Sequence, residues 1–245
     1  MKILITGANG LLGQHLTKLL LDNGDFVIAT GKGESRLPFV AHPGLIYKPL
    51  DISNIEDAAS IFSSHHPDVV IHAAALTQVD YCQLNMDEAY EINVRGTSKM
   101  LEYAVSNCRH FIYISTDFVF DGNKGNYKEE DETGPVNYYG KTKLEAEILV
   151  KKSSLPWSIV RTCLVYGNTL QGTRSNIIRW VQEKLEKNER IRVVDDQERT
   201  PTYVGDLVKG IQLVLQKKAE GIFHISGKEF LTPYDMAVQT AKYLS

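Results

Sequence analysis

With 245 residues, 43% apolar and 23% charged, the chain has the make-up of a folded protein: one large α/β domain, or a nucleotide-binding domain with a small appendage. A net charge of −3 gives no basis for a nucleic-acid polymer or an anionic membrane as partner, and no apolar run reaches the roughly 18–20 residues a bilayer requires. Cys82, Cys108 and Cys163 are far apart, odd in number and form no CxxC pair, which argues against a disulfide framework or zinc site and fits a reducing, cytoplasmic setting.

Short β-branched runs alternate with helical patterns, as in a doubly wound parallel sheet. Strands are predicted at 3–6, 26–30, 46–50, 68–72, 111–115 and 158–162, with no room for a leader before the first. Helices are predicted at 11–23, 55–65, 86–107 and 139–152. The runs Val69-Val70-Ile71 and Phe111-Ile112-Tyr113-Ile114 are apolar throughout, which suits strands covered on both faces. Beyond Asn168 the pattern changes to a helix at 175–188, a short strand at 191–194, a helix at 206–218, a strand at 222–225 and a helix from Pro233. The expected division is a Rossmann dinucleotide-binding domain over 1–167 and a smaller α/β substrate-binding region over 168–245. With no repeat or linker between them, the second packs on the first and its segments can interleave with it.

Thr6-Gly7-Ala8-Asn9-Gly10-Leu11-Leu12-Gly13 joins the first strand to the first helix. In that setting Gly7 serves a tight turn, Gly10 admits a pyrophosphate against the backbone and Gly13 allows close helix–strand packing. The free N–H groups opening the helix, around Leu11 and Leu12, would face the phosphates; the alternative is a tight turn that binds nothing. The second strand runs into Gly31-Lys32-Gly33 with Arg36 behind it, and lacks the carboxylate that would hold the 2′-hydroxyl of NAD. Two cations there favour NADPH, with NADH as the other cofactor to consider; otherwise Lys32 and Arg36 are solvated loop residues. Tyr139 and Lys143 stand four apart on one helical face, and the fifth strand delivers Thr116 to the carboxyl end of the sheet, where such sheets bind ligands.

The glycine turn, His72–Ala75, the segment 115–122 (STDFVFDG) and Tyr138–Lys143 (YYGKTK) occur in an order and spacing that resemble the extended short-chain dehydrogenase/reductases. Within them the chain is most similar to the dTDP-4-dehydrorhamnose reductase family. Leu50-Asp51-Ile52, Thr77-Gln78-Val79-Asp80, Ile92-Asn93-Val94, Leu164-Val165-Tyr166-Gly167, Asp196-Gln197 and Pro201-Thr202 add to the likeness. The resemblance implies reduction of a 4-keto-6-deoxysugar nucleotide, with Tyr139 as proton donor, Lys143 holding the nicotinamide ribose and favouring the phenolate, and Thr116 bonding the carbonyl. Ser115 is the less favoured residue for that last role. It also implies Asn9, Asp51, Ile52, Ala73, Ala74 and Ala75 along the dinucleotide, and Thr77, Asp80, Arg174, Asn176 and Arg199 on the substrate side. Arg199 would meet the substrate diphosphate, since a guanidinium makes paired bonds to phosphate, or else form a surface ion pair. Dehydratases of similar sequence follow the threonine with Asp-Glu; here the pair is Asp117-Phe118, which leaves simple keto reduction.

Two positions depart from the reductase pattern: Leu164 stands where tryptophan is usual, and Arg199 where glycine is usual. No residues suggest a metal site. Glu129-Glu130-Asp131-Glu132 reads as a solvated loop and His65-His66 as a helix end. The chain also resembles the β subunit of methionine adenosyltransferase, including Arg199-Thr200-Pro201-Thr202, which implies as an alternative a non-catalytic, NADP-binding regulatory subunit. In either case a homodimer through helices 86–107 and 139–152 is a family expectation.

Overall fold

The computed structural model describes residues 1–172 and 176–244. Seven strands, β1 (Lys2–Thr6), β2 (Phe26–Gly31), β3 (Leu45–Pro49), β4 (Val69–His72), β5 (His110–Thr116), β6 (Trp157–Thr162) and β9 (Gly221–His224), form one sheet in the order β3-β2-β1-β4-β5-β6-β9. Every pairing is parallel. The order reverses between β1 and β4, so a crevice opens at their carboxyl ends.

Side-chain alternation along the strands builds two cores. Ile3, Ile5, Val69, Ile71, Ile112, Ile114 and Val160 face helices α1 (Leu11–Asp22) and α8 (Val204–Lys217). Leu4, Val70, Phe111, Tyr113 and Ile159 face the opposite layer, made by α2 (Ile55–His65), α5 (Gly96–Asn107) and α6 (Tyr138–Lys152). Burial on both faces explains why these strands read as continuous apolar runs.

The long helix predicted at 86–107 exists with an interruption: α4 (Met86–Tyr90), a π turn (Glu91–Arg95) and α5 follow without a break. Before it lies α3 (Val79–Leu84), too short to register as a periodic pattern. The far end holds α7 (Ile177–Glu186), α9 (Pro233–Lys242) and a two-stranded pair of β7 (Val165–Tyr166) with β8 (Thr202–Tyr203).

The strand predicted at 191–194 is absent. Its β-branched residues have no sheet edge to join; the carbonyl of Val194 instead accepts the Tyr234 N–H at 3.1 Å, which ties the segment to α9. Strand β9 and helix α8, both beyond residue 168, complete the main sheet and one of its covering layers. No helix among the described residues is long and apolar enough to cross a membrane.

Candidate active site

At the β1–α1 turn Gly7 has φ +74°. A Cβ on Gly13 would stand 2.3 Å from the Gly7 carbonyl oxygen, so α1 can start this close to β1 only with glycine there. Gly10 is the extended N-cap of α1 and no side chain caps the helix, which leaves its opening N–H groups, near Leu11 and Leu12, facing the crevice. A Cβ on Gly7 would lie 2.9 Å from the Ala73–Ala74 backbone, so the glycine turn and the loop after β4 touch. These bare backbones form a cradle that suits a dinucleotide, with Ala75 farther along the same loop.

A buried chain of hydrogen bonds fixes the cradle. The Ala74 N–H donates to Thr6 Oγ1 (3.1 Å), and Thr97 Oγ1 donates to the Asn93 carbonyl (2.7 Å). His72 lies between, with Nδ1 2.8 Å from Thr6 Oγ1 and Nε2 3.1 Å from Thr97 Oγ1. The Thr97 proton is committed to Asn93, so the bonding pattern makes Nε2 of His72 the donor to Thr97 and Nδ1 the acceptor from Thr6. Burial, with the nearby Lys143 charge adding, pushes the His72 pKa down to about 3, and the ring is neutral.

Asn9 ties the cradle to the loop after β2: its amide donates to the Glu34 carbonyl (2.9 Å) and Tyr47 Oη (2.8 Å), and its Oδ1 accepts the Arg36 N–H (2.8 Å). Lys32, 81% exposed, forms a 3.0 Å ion pair with Asp51. The Ser53 hydroxyl, and after it Lys32, holds the Asp51 carboxyl below its ordinary range. Asn9, Lys32, Arg36 and Asp51 thus gather at one end of the cradle, with buried Ile52 beside Asp51. Gln14, which sequence reasoning missed, donates to the Gln171 carbonyl (2.7 Å) and accepts from Leu170 N and Gln171 N (2.9 and 3.0 Å), docking that loop on α1.

At the other end β5 presents Thr116 and α6 presents Tyr139 and Lys143, all buried. Asn137 caps α6 by accepting the Gly140 N–H (2.8 Å), and Thr116 caps the following 3-10 turn (Asp117–Val119). The Thr116 hydroxyl donates to Asp117 Oδ1 (3.0 Å). Burial pushes the Tyr139 phenol well above its ordinary pKa, while a hydrogen bond with Thr116 pulls the other way. Lys143 Nζ donates to the Ile114 carbonyl (2.8 Å) and sits 4.1 Å over the Tyr113 ring; burial pushes its pKa down to about 7. Ser115 is turned away and donates to Glu147 Oε1 (2.6 Å), so it is not the crevice hydroxyl.

Asn93, in the π turn, connects the loop after β4 to α6. Its Oδ1 accepts the Leu76 N–H (2.8 Å), and its amide donates to the Leu76 carbonyl and to Thr142 Oγ1, both at 3.0 Å. Thr142 in turn donates to the Tyr139 carbonyl (2.8 Å). The signal for this was a lone asparagine inside a long helical pattern, where its amide has nothing to do unless it is bonded elsewhere.

On the substrate side Arg199 is paired with Asp117 Oδ2 at 3.0 Å, lies 4.5 Å over the Phe118 ring and donates to Gln197 Oε1 (3.0 Å). Its backbone pairs with Leu231. The guanidinium is therefore beside Thr116 and largely covered, not a free surface cation. Asn176 caps α7, accepting from Ile178 N and Arg179 N and donating to the Gly167 carbonyl. Thr77 is exposed on the loop after β4 and Asp80 lies in the first turn of α3. Arg174 lies outside the described residues.

A parallel sheet of this order, with a glycine cradle and converging Thr116, Tyr139 and Lys143, defines an extended short-chain dehydrogenase/reductase. The family model RmlD substrate binding domain matches residues 1–245, and the chain belongs to that family. It is 35% identical to dTDP-4-dehydrorhamnose reductase of Aggregatibacter actinomycetemcomitans over 97% of this chain and 77% of that protein. It is 30% identical to methionine adenosyltransferase 2 subunit beta of Bos taurus over 98% of this chain and 71% of that protein. The structure of dTDP-4-dehydrorhamnose reductase from Bacillus anthracis in complex with NADP superposes with a TM-score of 0.83, at 29% identity, covering 99% of this chain and 80% of that one.

Proposed function

We propose that this chain is an NADPH-dependent reductase that converts dTDP-4-dehydro-L-rhamnose to dTDP-L-rhamnose in the cytoplasm. The observation that carries the reading is the meeting of Thr116, Tyr139 and Lys143 at the carboxyl end of the sheet, next to the glycine cradle. Gly7, Asn9, Gly10, Leu11, Leu12 and Gly13 would hold the pyrophosphate, Asp51 and Ile52 the adenine, and Lys32 and Arg36 a 2′-phosphate. Ala73, Ala74 and Ala75 would line the nicotinamide side, with Tyr139 and Lys143 at the ribose. Bound NADPH supplies a hydride to the substrate's keto carbon.

As the carbonyl oxygen gains charge, Tyr139 transfers its phenolic proton to it, and the alcohol forms with the phenolate left behind. Lys143, four residues on, stabilises that phenolate through its ammonium charge, and Thr116 bonds the oxygen. Asp117 is occupied by Arg199 and by Cys163, whose thiol donates to Oδ2 at 3.1 Å, so it is not free to act as the second acid that eliminating water would need. Thr77, Asp80, Asn176 and Arg199 would line the substrate side. Arg199 would meet the substrate diphosphate; its ion pair with Asp117 also supports a place near the sugar end, beside the carbonyl. Residues 1–167 with α8 and β9 would form the dinucleotide-binding unit, and the rest of 168–245 the substrate region. Three unpaired cysteines suit the cytoplasm, and α4, α5 and α6 would form a homodimer face.

The likeness to the methionine adenosyltransferase subunit favours a second reading, a regulatory NADP-binding subunit. The purified chain with NADPH and dTDP-4-dehydro-6-deoxy-L-mannose separates the two. Oxidation of the reduced nicotinamide, faster with NADPH than with NADH, supports the reductase. NADPH binding without oxidation favours the subunit.

A further inference from the structure

One turn beyond Lys143, helix α6 carries a second buried charge that the proton transfer does not touch. Glu147 is fully buried, and Arg161 of β6 is 3% exposed. Arg161 grips the carboxylate with two bonds, Nε to Oε1 at 2.9 Å and Nη2 to Oε2 at 2.7 Å. Ser115 of β5 donates to Oε1 at 2.6 Å, and Lys151 Nζ lies 3.7 Å from Oε2. The guanidinium also lies 5.0 Å over the Phe120 ring. A buried pair of this kind contributes little net stability, because desolvating both charges offsets their attraction. Its field on a third buried charge is another matter, since little water is present to screen it.

That third charge is Lys143, on the same face of α6 four residues earlier. The groups facing Lys143 are Tyr139 and Glu147 from α6, Tyr113 and the Ile114 carbonyl from β5, and His72 from β4. His72 is neutral, and burial holds both tyrosines protonated. Glu147 is the carboxylate in this set. The groups facing Glu147 besides Lys143 are Arg161, Ser115, Lys151, Tyr113 and His224 of β9.

We propose that Glu147 is a positioning residue for Lys143: its carboxylate, held by Arg161 and Ser115, supplies the negative charge that keeps the buried ammonium cationic. Burial pushes Lys143 down to about 7, and the Glu147 charge, one turn along the same helix face, opposes that push. On the reductase reading above, losing that charge removes the stabilisation of the Tyr139 phenolate.

The test titrates Lys143 directly, in the cofactor-free protein, by NMR of lysine labelled at the ε carbon, with Lys143→Met identifying the signal. Such a measurement stands whether or not the chain reduces a sugar. In Glu147→Gln with Arg161→Met, which removes both charges of the pair, the Lys143 midpoint is expected to fall by about one pH unit or more. Glu147→Gln alone, which keeps the side-chain volume, is expected to give at least that fall, because it leaves the buried Arg161 charge uncompensated. Arg161→Lys weakens the pair's geometry but keeps the carboxylate and its countercharge, and is expected to lower the melting temperature without moving the midpoint. An unchanged midpoint in the folded charge-removed variants, or an equal fall in Arg161→Lys, overturns the proposal and leaves the pair a structural one.

Discussion

In the proposed reaction Tyr139 starts from a pocket that strongly favours the phenol over the phenolate, because burial raises its pKa. That suits the proposed role of proton donor at neutral pH, in which the cost of losing the proton would depend on Lys143 and Thr116. Tyr139→Phe is expected to lower kcat/KM by about 10²–10⁴-fold while changing NADPH affinity by less than about threefold, because the ring and Lys143 remain. Stopped-flow reduction and a fluorescence titration of NADPH measure the two quantities. His72 makes a different prediction at the same scale. Its folded pKa of about 3 lies below the ordinary 6.5, so the stability that neutral His72 contributes is present above pH 6.5 and is lost as pH falls toward 3. Each unit in that window is worth up to about 1.4 kcal/mol. Urea midpoints at pH 7 and pH 4.5 are expected to show this loss, and a shallower one in His72→Gln; equal slopes would show that His72 is not the group that titrates.

The element that matters most to the site is the π turn between α4 and α5. By adding a residue to one helical turn it turns Asn93 inward, where one side chain links the Leu76 backbone to Thr142 and so to the backbone of Tyr139. Asn93→Leu keeps the branching of the side chain but strands the Leu76 N–H and leaves the Leu76 carbonyl only the weak thiol donor of Cys82. Leaving such a group unpaired costs about 1–3 kcal/mol, so a loss of that order is expected in urea unfolding. A higher KM for the sugar nucleotide is expected alongside, because the loop carrying Thr77 loses its anchor. A KM that stays put despite the stability loss would separate that loop from substrate binding. The helix itself was legible over 86–107 from its periodicity, but the extra residue in one turn was not, because a π turn has no composition of its own.

For the whole molecule, the question is whether the nucleotide-binding half stands alone. Helix α8 buries Val204, Leu207, Val208, Ile211, Val214 and Leu215, largely against the face of the sheet that α1 also covers. At roughly 1.5–3 kcal/mol per buried side chain, that contribution is comparable with the whole net stability of a domain, about 5–15 kcal/mol. A chain ending at residue 203, which also leaves β6 without β9, is therefore expected to show no cooperative unfolding transition by circular dichroism. A sharp transition in that fragment would mean residues 1–203 carry a complete core without α8 and β9.

Much of this molecule is written in its residue order. The glycine turn, the apolar runs and the 3.6-residue patterns are local consequences of backbone sterics and burial, so all seven of the sheet's strands and the helices that cover it are legible from the chain alone. The segments holding Thr116, Tyr139 and Lys143 are readable for the same reason, since a strand end and a helical i, i+4 pair place them by short-range geometry. What only the tertiary structure decided are the contacts between segments distant in the chain. The β-branched run at 191–194 found no edge to pair with, Arg199 turned onto Asp117 from 82 residues away, and Glu147 met Arg161 of the neighbouring strand inside the core. Pairings of that kind depend on which elements pack together and how little water is left between them, and neither quantity follows from the local order of residues.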